Sequence, residues 1–185
     1  MIRKAKIDDL KQIMVIINEA KLRLRKSGLM QWNVGNYPNK DTFLNDIKND
    51  SLFVYEDKII TGVMCCIKEN NLSYLNIEGK WLNQDNYMVI HRIAVKEEYL
   101  GQGIAKKLIN HAINYAQNNN STSIKIDTHP KNIPMNNLIN SLNFTFCGII
   151  KLIDTQIEPE RNAYELQLRR WKDESSTLLS KSKNT

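Results

Sequence analysis

One stretch near the middle of the chain constrains the fold more than any other. Residues 86–95 form a long run rich in β-branched and apolar residues, which predicts a central strand. Residues 104–117 carry apolar side chains at helical spacing and predict a helix. Between them lies Gly101-Gln102-Gly103. Small residues let the backbone approach a ligand closely, and the first turn of a helix offers free N–H groups and the positive end of a dipole. The stretch therefore predicts an anion site where a strand meets a helix.

Two common phosphate-binding loops do not fit this stretch. A P-loop requires G-x-x-x-x-G-K-[ST], which the residues after Gly103 do not supply. The dinucleotide fingerprint requires a third small residue, an early position in the chain and an acidic partner about 20 residues on. Here the loop comes late, and only Asp127 approximates that partner. A tight turn without any ligand also explains two glycines, so that alternative stays open at this point.

The remaining pattern predicts a mixed α/β sheet, because strands stand at both ends of the chain with helices between them. Asp8 is predicted to cap the first helix, and residues 70–85 show no clear pattern. The other predicted strands are residues 2–6, 52–56, 59–67, 124–128, 144–150 and 162–168, and the other predicted helices are residues 40–48 and 134–142.

Composition narrows the class of protein. The chain has 185 residues, of which 42% are apolar, which fits one domain with a full core. No apolar run approaches the ~20 residues of a membrane span, and the first residues lack the apolar stretch of a signal peptide. We therefore expect a cytoplasmic protein without a membrane partner. The chain has three cysteines, which are Cys65, Cys66 and Cys147. Their number is odd and their spacing does not suit a metal site, so we expect reduced, buried thiols and no metal.

The net charge of +6 is unevenly placed, because half of it lies in residues 169–185. A nucleic-acid groove requires clustered Lys and Arg interleaved with aromatics, and the chain has no such cluster, so we expect no nucleic-acid partner. A mild positive bias suits an anionic small ligand. The predicted organisation is a domain over residues 1–170 and a flexible basic tail over 171–185, which we expect to be dispensable for folding and turnover.

Two segments resemble the cofactor signatures of the GNAT superfamily of N-acetyltransferases. His91-Arg92-Ile93-Ala94-Val95 through Gly101-Gln102-Gly103-Ile104-Ala105 is similar to its acetyl-CoA signature, in which a strand leads to an [RQ]-x-x-G-x-[GA] loop that opens a helix. Asn132-Ile133-Pro134-Met135 with Leu142-Asn143-Phe144 is similar to the second cofactor segment. The resemblance covers residues 2–168 and implies an α+β fold with a single mixed, mostly antiparallel sheet flanked by helices. It also implies transfer of the acetyl group of acetyl-CoA to a primary amine of a small molecule or peptide by direct attack in a ternary complex, and it leaves a homodimer open.

Three residues depart from the family pattern. Leu100 stands where the family usually has Arg or Gln, but it keeps the backbone N–H. Asn143 replaces a glycine, and Asn tolerates the left-handed conformation best after Gly. Ile139 stands where many members place a tyrosine that protonates the leaving thiolate. Because that acid is absent, a CoA-binding module of the same fold without efficient turnover remains the alternative.

The resemblance also implies roles for individual residues. The backbone of Ile93 and Val95 would pair with the pantetheine arm as an added strand does. The N–H groups of residues 100–105 would hold the pyrophosphate, and Asn132 would contact the cofactor near its thiol. Lys106 follows in the first turn of the helix and adds positive charge there. The predicted cofactor-binding residues are Ile93, Ala94, Val95, Leu100, Gly101, Gln102, Gly103, Ile104, Ala105, Lys106 and Asn132.

The chemistry requires a group that accepts a proton from the amine. Our candidates for this base are His91, Glu78 and Asp127, with His129 as a further possibility. His91 lies on the same strand as the expected carbonyl site, and imidazole accepts a proton near neutral pH. The structural alternatives are a core histidine bonded to a backbone carbonyl for His91 and a local cap for Asp127. We expect His111 to be a surface residue.

Aromatic and acidic residues fall in the segments that flank the acceptor site in the resembled family. Together they suit a cationic amine, and the alternative is that the tryptophans merely pin long loops. The aromatic candidates for acceptor binding are Trp32, Tyr37, Trp81 and Tyr87, and the nearby carboxylates are Glu78, Asp85, Glu158 and Glu160.

Overall fold

The computed structural model describes residues 1–33, 35–84, 86–155 and 157–168. Within these residues, eight strands form one sheet and four α-helices cover its two faces. The strands are β1 (Ile2–Lys4), β2 (Leu52–Asp57), β3 (Ile59–Ile67), β4 (Ile77–Gly79), β5 (Tyr87–Val95), β6 (Ser123–Thr128), β7 (Thr145–Lys151) and β8 (Glu160–Gln167). The helices are α1 (Leu10–Lys26), α2 (Lys40–Lys48), α3 (Ile104–Asn118) and α4 (Ile133–Ser141).

The sheet order is β1-β2-β3-β5-β6-β8-β7-β4. Among the strands of the described residues, only β5 and β6 run parallel, and every other neighbouring pair is antiparallel. A parallel pair requires a crossover, and α3 supplies it between β5 and β6. The expected mixed, mostly antiparallel sheet with a central β5 is confirmed.

One face of the sheet is covered by α3 and α4. Leu108, Ile109 and Ala112 on α3 are fully buried there. Gly62 on β3 permits the close approach of this helix, since a Cβ at that position would lie 2.7 Å from Cγ2 of Ile104. The first turn of α3 is therefore fixed tightly against the sheet, together with the loop that precedes it.

The other face is covered by α1 and α2, with Ile13, Ile17 and Phe43 fully buried. The prediction that Asp8 caps α1 is wrong, because a short 3-10 turn over Ile7–Asp9 comes first. The carboxylate of Asp9 accepts the N–H of Lys6 at 2.7 Å and two hydrogen bonds from Arg3 at 2.7 and 3.0 Å. The hydrogen bond from Arg3 lowers the pKa of Asp9, so this residue anchors the entry to α1 as a carboxylate.

Residues 70–84, which the sequence left unassigned, contain a 3-10 turn at Leu72–Tyr74 and the strand β4. β4 pairs with β7, where Gly79 lies opposite Gly148. A Cβ on Gly79 would come within 2.2 Å of the carbonyl oxygen of Cys147, so the pairing depends on glycine. β4 is only three residues long, too short for its hydrophobic pattern to predict a strand, and it forms because it pairs with β7.

The cysteines are buried and free, as the sequence predicts. Burial raises the pKa of Cys65 to about 11 and that of Cys66 to about 12, which disfavours a thiolate nucleophile at either position. The expectation that His111 lies on the surface is met only in part, because the residue is half-buried and its ring packs edge-on against Phe53 with centroids 5.0 Å apart.

Within the described ranges no helix combines the length and apolar character required to cross a bilayer. The same residues contain no cluster of three or more His, Cys, Asp or Glu arranged to hold a metal ion. The predicted tail over 171–185, the domain boundary at residue 170 and Asp85 lie outside the described residues.

Candidate active site

The central pair of parallel strands opens partway along its length. β5 pairs with β6 from Tyr87 to Ile90, and the pairing stops there. On its other side β5 stays paired with β3 as far as Val95. Residues 91–95 therefore present an unpaired strand edge to a cavity of about 890 Å³, which we call the cleft.

A bulge bends β5 at the opening. Cys65 lies opposite His91 and Val63 opposite Ala94, so two residues of β5 face one of β3. Arg92 occupies the bulge with φ +51°. After the bulge the ladder is regular again, and the N–H of Lys96 donates to Thr61 on β3 at 2.9 Å.

Alternation along a strand then determines where the neighbouring amides point. Since the N–H of Lys96 faces β3, those of Val95 and Ile93 face the cleft. A second extended chain in the cleft would find donors at these two positions, which is the arrangement that the sequence resemblance implies.

Arg92 ties the bulge to the helical layer. Its guanidinium binds Asp46 on α2 through two hydrogen bonds of 2.8 and 2.7 Å, and both side chains are nearly buried. Nη1 of Arg92 also donates to the hydroxyl of Tyr37 at 2.8 Å. The pair therefore fixes the shape of β5 and one wall of the cleft together.

We expect Asp46→Asn to lower the free energy of unfolding by about 3–5 kcal/mol, because it leaves the guanidinium of Arg92 buried without its counter-charge. Urea denaturation measures this loss. The matched control is Asp50→Asn, just after the same helix, since Asp50 forms only an exposed pair with Lys4. That change should cost at most about 1 kcal/mol. Equal effects of the two substitutions would contradict a stabilising Arg92–Asp46 pair.

The loop of residues 101–105, which we call the glycine loop, lies at the start of α3. Gly101 and Gly103 have φ of +76° and +75°, a conformation that favours glycine. A Cβ added to either would meet no atom within 4 Å, so the surface above the loop is open. The first intrahelical bond here runs from the N–H of Lys107 to Gly103, so by helix geometry the preceding N–H groups are free.

Two charged residues follow in this turn. Lys106 is exposed, whereas Nζ of Lys107 binds the hydroxyl of Tyr55 at 3.3 Å. Leu100 and Ala105 border the cleft itself. The glycine loop thus fits a pyrophosphate, with free amides, no side chain in the way and one cation beside it.

His91 forms a short contact with a residue that the sequence did not suggest. Its Nε2 lies 2.6 Å from Oε1 of Glu69, and both residues line the cleft. Burial raises the pKa of Glu69, but the hydrogen bond and charge of His91 outweigh it, so the net shift is downward. A carboxylate thus orients the imidazole, in place of the backbone carbonyl considered from the sequence.

Asp127 lies across the opening from His91. Ile126 pairs with Ile90, so the residues that follow them project from the same face of the sheet. Oδ1 of Asp127 accepts the hydroxyl of Tyr74 at 2.7 Å. Burial raises the pKa of Tyr74 well above its ordinary value, so this phenol stays a donor to Asp127.

His129 has a structural environment. Its Nδ1 accepts the N–H of Lys131 at 3.1 Å, which leaves the proton on Nε2, 3.3 Å from Oε2 of Glu158. Burial lowers the pKa of His129 and favours the neutral ring. Glu158 also accepts the N–H of Met30 at 3.2 Å, so these contacts join two loops over the cleft.

Of the aromatic candidates, Trp32 and Tyr37 line the cleft. Trp81 and Tyr87 do not, and they enclose Lys125 instead, with Nζ 4.2 and 3.7 Å from the two ring centroids. Tyr87 begins β5, before the strands separate, which is why it lies away from the opening.

Glu78 is also separated from the cleft. It lies on the outermost strand β4 and forms an exposed ion pair with Lys151 at 2.9 Å. Glu160 starts β8 with an exposed side chain. The structure thus brings His91, Asp127, Trp32 and Tyr37 together and places Glu78 elsewhere.

The second cofactor segment forms α4 and the turn after it. The side chain of Asn132 caps the helix and borders the cleft. Asn143 has φ +61°, which confirms the expected left-handed conformation. Ile139, which has no hydroxyl, is fully buried in the core. Its neighbour Leu138 lines the cleft.

An opened parallel pair at the centre of a mostly antiparallel sheet, with an anion-binding helix start beside it, is the arrangement of the acyl-CoA N-acyltransferase fold. Residues 17–144 match the acetyltransferase (GNAT) family, and the chain belongs to this family of acetyltransferase enzymes. No curated protein matches the chain.

Several solved structures share the fold. A GNAT-family acetyltransferase from Streptococcus agalactiae is 30% identical, with 92% of this chain and 96% of that chain covered and a TM-score of 0.83. The yncA protein of Salmonella typhimurium, solved with its cofactor acetyl-CoA, is 20% identical over 91% and 94% of the two chains, with a TM-score of 0.65. The paia N-acetyltransferase of Thermoplasma acidophilum, in complex with coenzyme A, is 18% identical over 90% and 98%, with a TM-score of 0.64.

Proposed function

We propose that this enzyme transfers the acetyl group of acetyl-CoA to a primary amine of a small molecule or peptide by direct attack in a ternary complex. The observation that carries the proposal is the end of β5–β6 pairing at Ile90, which leaves a strand edge free inside the cleft. The structural relatives that contain acetyl-CoA or coenzyme A support the choice of donor.

The residues present fit this donor. Amides at Ile93 and Val95 face the cleft and suit the two amide groups of a pantetheine arm. The glycine loop suits the pyrophosphate, with Lys106 beside it, and Asn132 borders the cleft. When bound, the donor would supply an acetyl group activated as a thioester.

In this proposal His91 is the base. It accepts the proton that the amine loses as the new C–N bond forms, and the C–S bond breaks to release the thiolate. Glu69 holds the imidazole and stabilises its protonated form. Asp127 remains the rival, because it borders the same cleft and keeps one carboxylate oxygen beyond its bond to Tyr74.

The acceptor approaches from the side of Trp32 and Tyr37, which border the same cleft as His91 and Arg92. We propose that the enzyme acts in the cytoplasm, as a monomer or a homodimer, without a nucleic-acid or membrane partner and without a metal. The domain is proposed to end near residue 170, with the tail over 171–185 dispensable.

The test is release of free thiol from acetyl-CoA across a panel of amines, with reactions lacking the amine or the protein as blanks. We expect amine-dependent release together with an acetylated product detected by mass spectrometry. Hydrolysis without an acetylated amine would contradict the proposal.

A second function is favoured by Ile139, which supplies no hydroxyl acid at the position where the resembled family places a tyrosine. The protein would then bind coenzyme A without efficient turnover. Calorimetry that shows binding of coenzyme A, combined with no amine-dependent thiol release, would support this alternative.

A further inference from the structure

A buried arginine in the cleft has no role in the chemistry proposed so far. Arg161 on β8 is 4% exposed and lines the cleft. Its Nη1 donates to the carbonyl oxygens of Glu158 and Glu160 at 2.5 and 2.7 Å. These bonds fix the guanidinium and occupy only one of its three nitrogens.

The other two nitrogens, Nε and Nη2, have no carboxylate partner among the residues that the structure describes. No Asp or Glu oxygen of the described residues lies within 4.0 Å of the Arg161 guanidinium. Burial lowers the pKa of Arg161, and carboxylates farther away only partly offset this. A buried guanidinium without a carboxylate in contact is destabilised, and a bound anion would stabilise it.

Strand register places Arg161 on the same side of the sheet as the proposed base. Asp127 lies opposite Ala163, and Arg161 is two residues before Ala163, so both side chains project from one face. Asp127 shares that face with His91. The cleft thus contains a proton acceptor, a carboxylate and a fixed guanidinium on one face.

Apolar side chains border the same cleft. Leu72, Ile153 and Ile157 line it and are 61%, 67% and 51% exposed. Leu152 and Met30 also contribute to the lining. Exposed aliphatic side chains around a polar centre suit a ligand that has an apolar part next to its charges.

We propose that the acceptor is an amino acid with an apolar side chain, whose carboxylate binds Nε and Nη2 of Arg161. Its amino group then lies toward His91 and Asp127, and its side chain lies against the aliphatic border. This inference rests on the proposed acetyl transfer and names its substrate class. A polyamine fits less well, because its second cation would lie near the guanidinium of Arg161.

The test compares amino acids with the amines that lack only the carboxylate: leucine with isoamylamine, and phenylalanine with phenethylamine. Rates are taken at saturating acetyl-CoA and expressed per neutral amine. We expect kcat/KM to be at least about tenfold higher for each amino acid, as for a charge-assisted hydrogen-bonded pair. Arg161→Gln should lower the amino-acid values about 10- to 100-fold and remove the preference. Lys131→Gln, an exposed cation at the rim, is the control and should change little.

Two outcomes are distinguishable. If the plain amines react as fast as the amino acids and Arg161→Gln changes neither, this inference is wrong and acetyl transfer stands. If no amine or amino acid is acetylated, the proposed function fails and this inference fails with it. Arg161 also binds two backbone carbonyls, so the Gln variant could fail to fold. In that case Arg161→Lys replaces it in the same rate measurements. The comparison of amino acids with plain amines uses the wild-type enzyme and requires no variant.

Discussion

The variant His91→Gln is expected to lower kcat about 10²- to 10⁴-fold, the usual contribution of a positioned base. Glutamine can still donate to Glu69, so the local hydrogen bond survives while the proton acceptor is lost. The affinity for coenzyme A should stay unchanged, because the substitution alters neither the glycine loop nor the backbone of the strand edge. A pH–rate profile with saturating acetyl-CoA measures kcat, and the acidic limb of the wild type should disappear in the variant.

Glu69→Gln is the companion variant. Without the carboxylate the imidazole loses the group that orients it, so kcat should fall while part of the activity remains. A kcat equal to that of the wild type would show that Glu69 does not position the base. If His91→Gln keeps the wild-type limb and kcat falls less than about threefold, far below the ~10²-fold expected of a base, His91 is structural and Asp127 becomes the leading candidate.

The variant Gly103→Asp is expected to weaken coenzyme A binding roughly five- to a thousandfold. The range follows from placing a unit charge about 4 Å from a phosphate, at about 1 kcal/mol in water and about 4 kcal/mol at an effective dielectric constant of 20. The space above the loop is open, so the new carboxylate would occupy the proposed pyrophosphate position. Calorimetric titration with coenzyme A measures the loss.

Gly103→Asn is the matched control, since it has nearly the same size and also tolerates positive φ. It separates charge from shape: the Asp variant should bind much more weakly than the Asn variant. Equal affinity of wild type and a folded Gly103→Asp variant would show that the pyrophosphate lies elsewhere. Thermal unfolding of both variants establishes that they fold.

The long elements could be predicted from the sequence because their patterns are local. The helix over residues 40–48 agrees with α2 at both ends, and the strand over 59–67 agrees with β3. The glycine loop could also be predicted from the sequence. Two glycines before an amphipathic helix indicate a backbone with positive φ, which does not depend on tertiary contacts. The left-handed conformation at Asn143 followed in the same way.

The rest depends on contacts between distant parts of the chain. Glu69 precedes His91 by 22 residues and reaches it only through the loop after β3, so no spacing rule points to it. Trp81 and Tyr87 were predicted to bind the acceptor, but they lie around Lys125, whose burial opposite Glu165 on β8 becomes visible only in the sheet register. No sequence pattern pointed to Arg161. Its proposed role depends on its burial and on the lack of a carboxylate within 4.0 Å among the described residues, and both become visible only in the folded structure.

The unpaired edge inside the sheet has a consequence for the lifetime of the enzyme. Backbone groups that face the cleft without a strand partner leave the fold incomplete until a ligand fills the gap, so the ligand contributes to folding as well as to chemistry. At 100 times its Kd, coenzyme A would raise the free energy of unfolding by about 2.7 kcal/mol, roughly a hundredfold fewer unfolded molecules. A cell short of coenzyme A would then clear this enzyme faster, because unfolded chains are what proteases degrade. The supply of the donor would thus set the amount of enzyme as well as its rate.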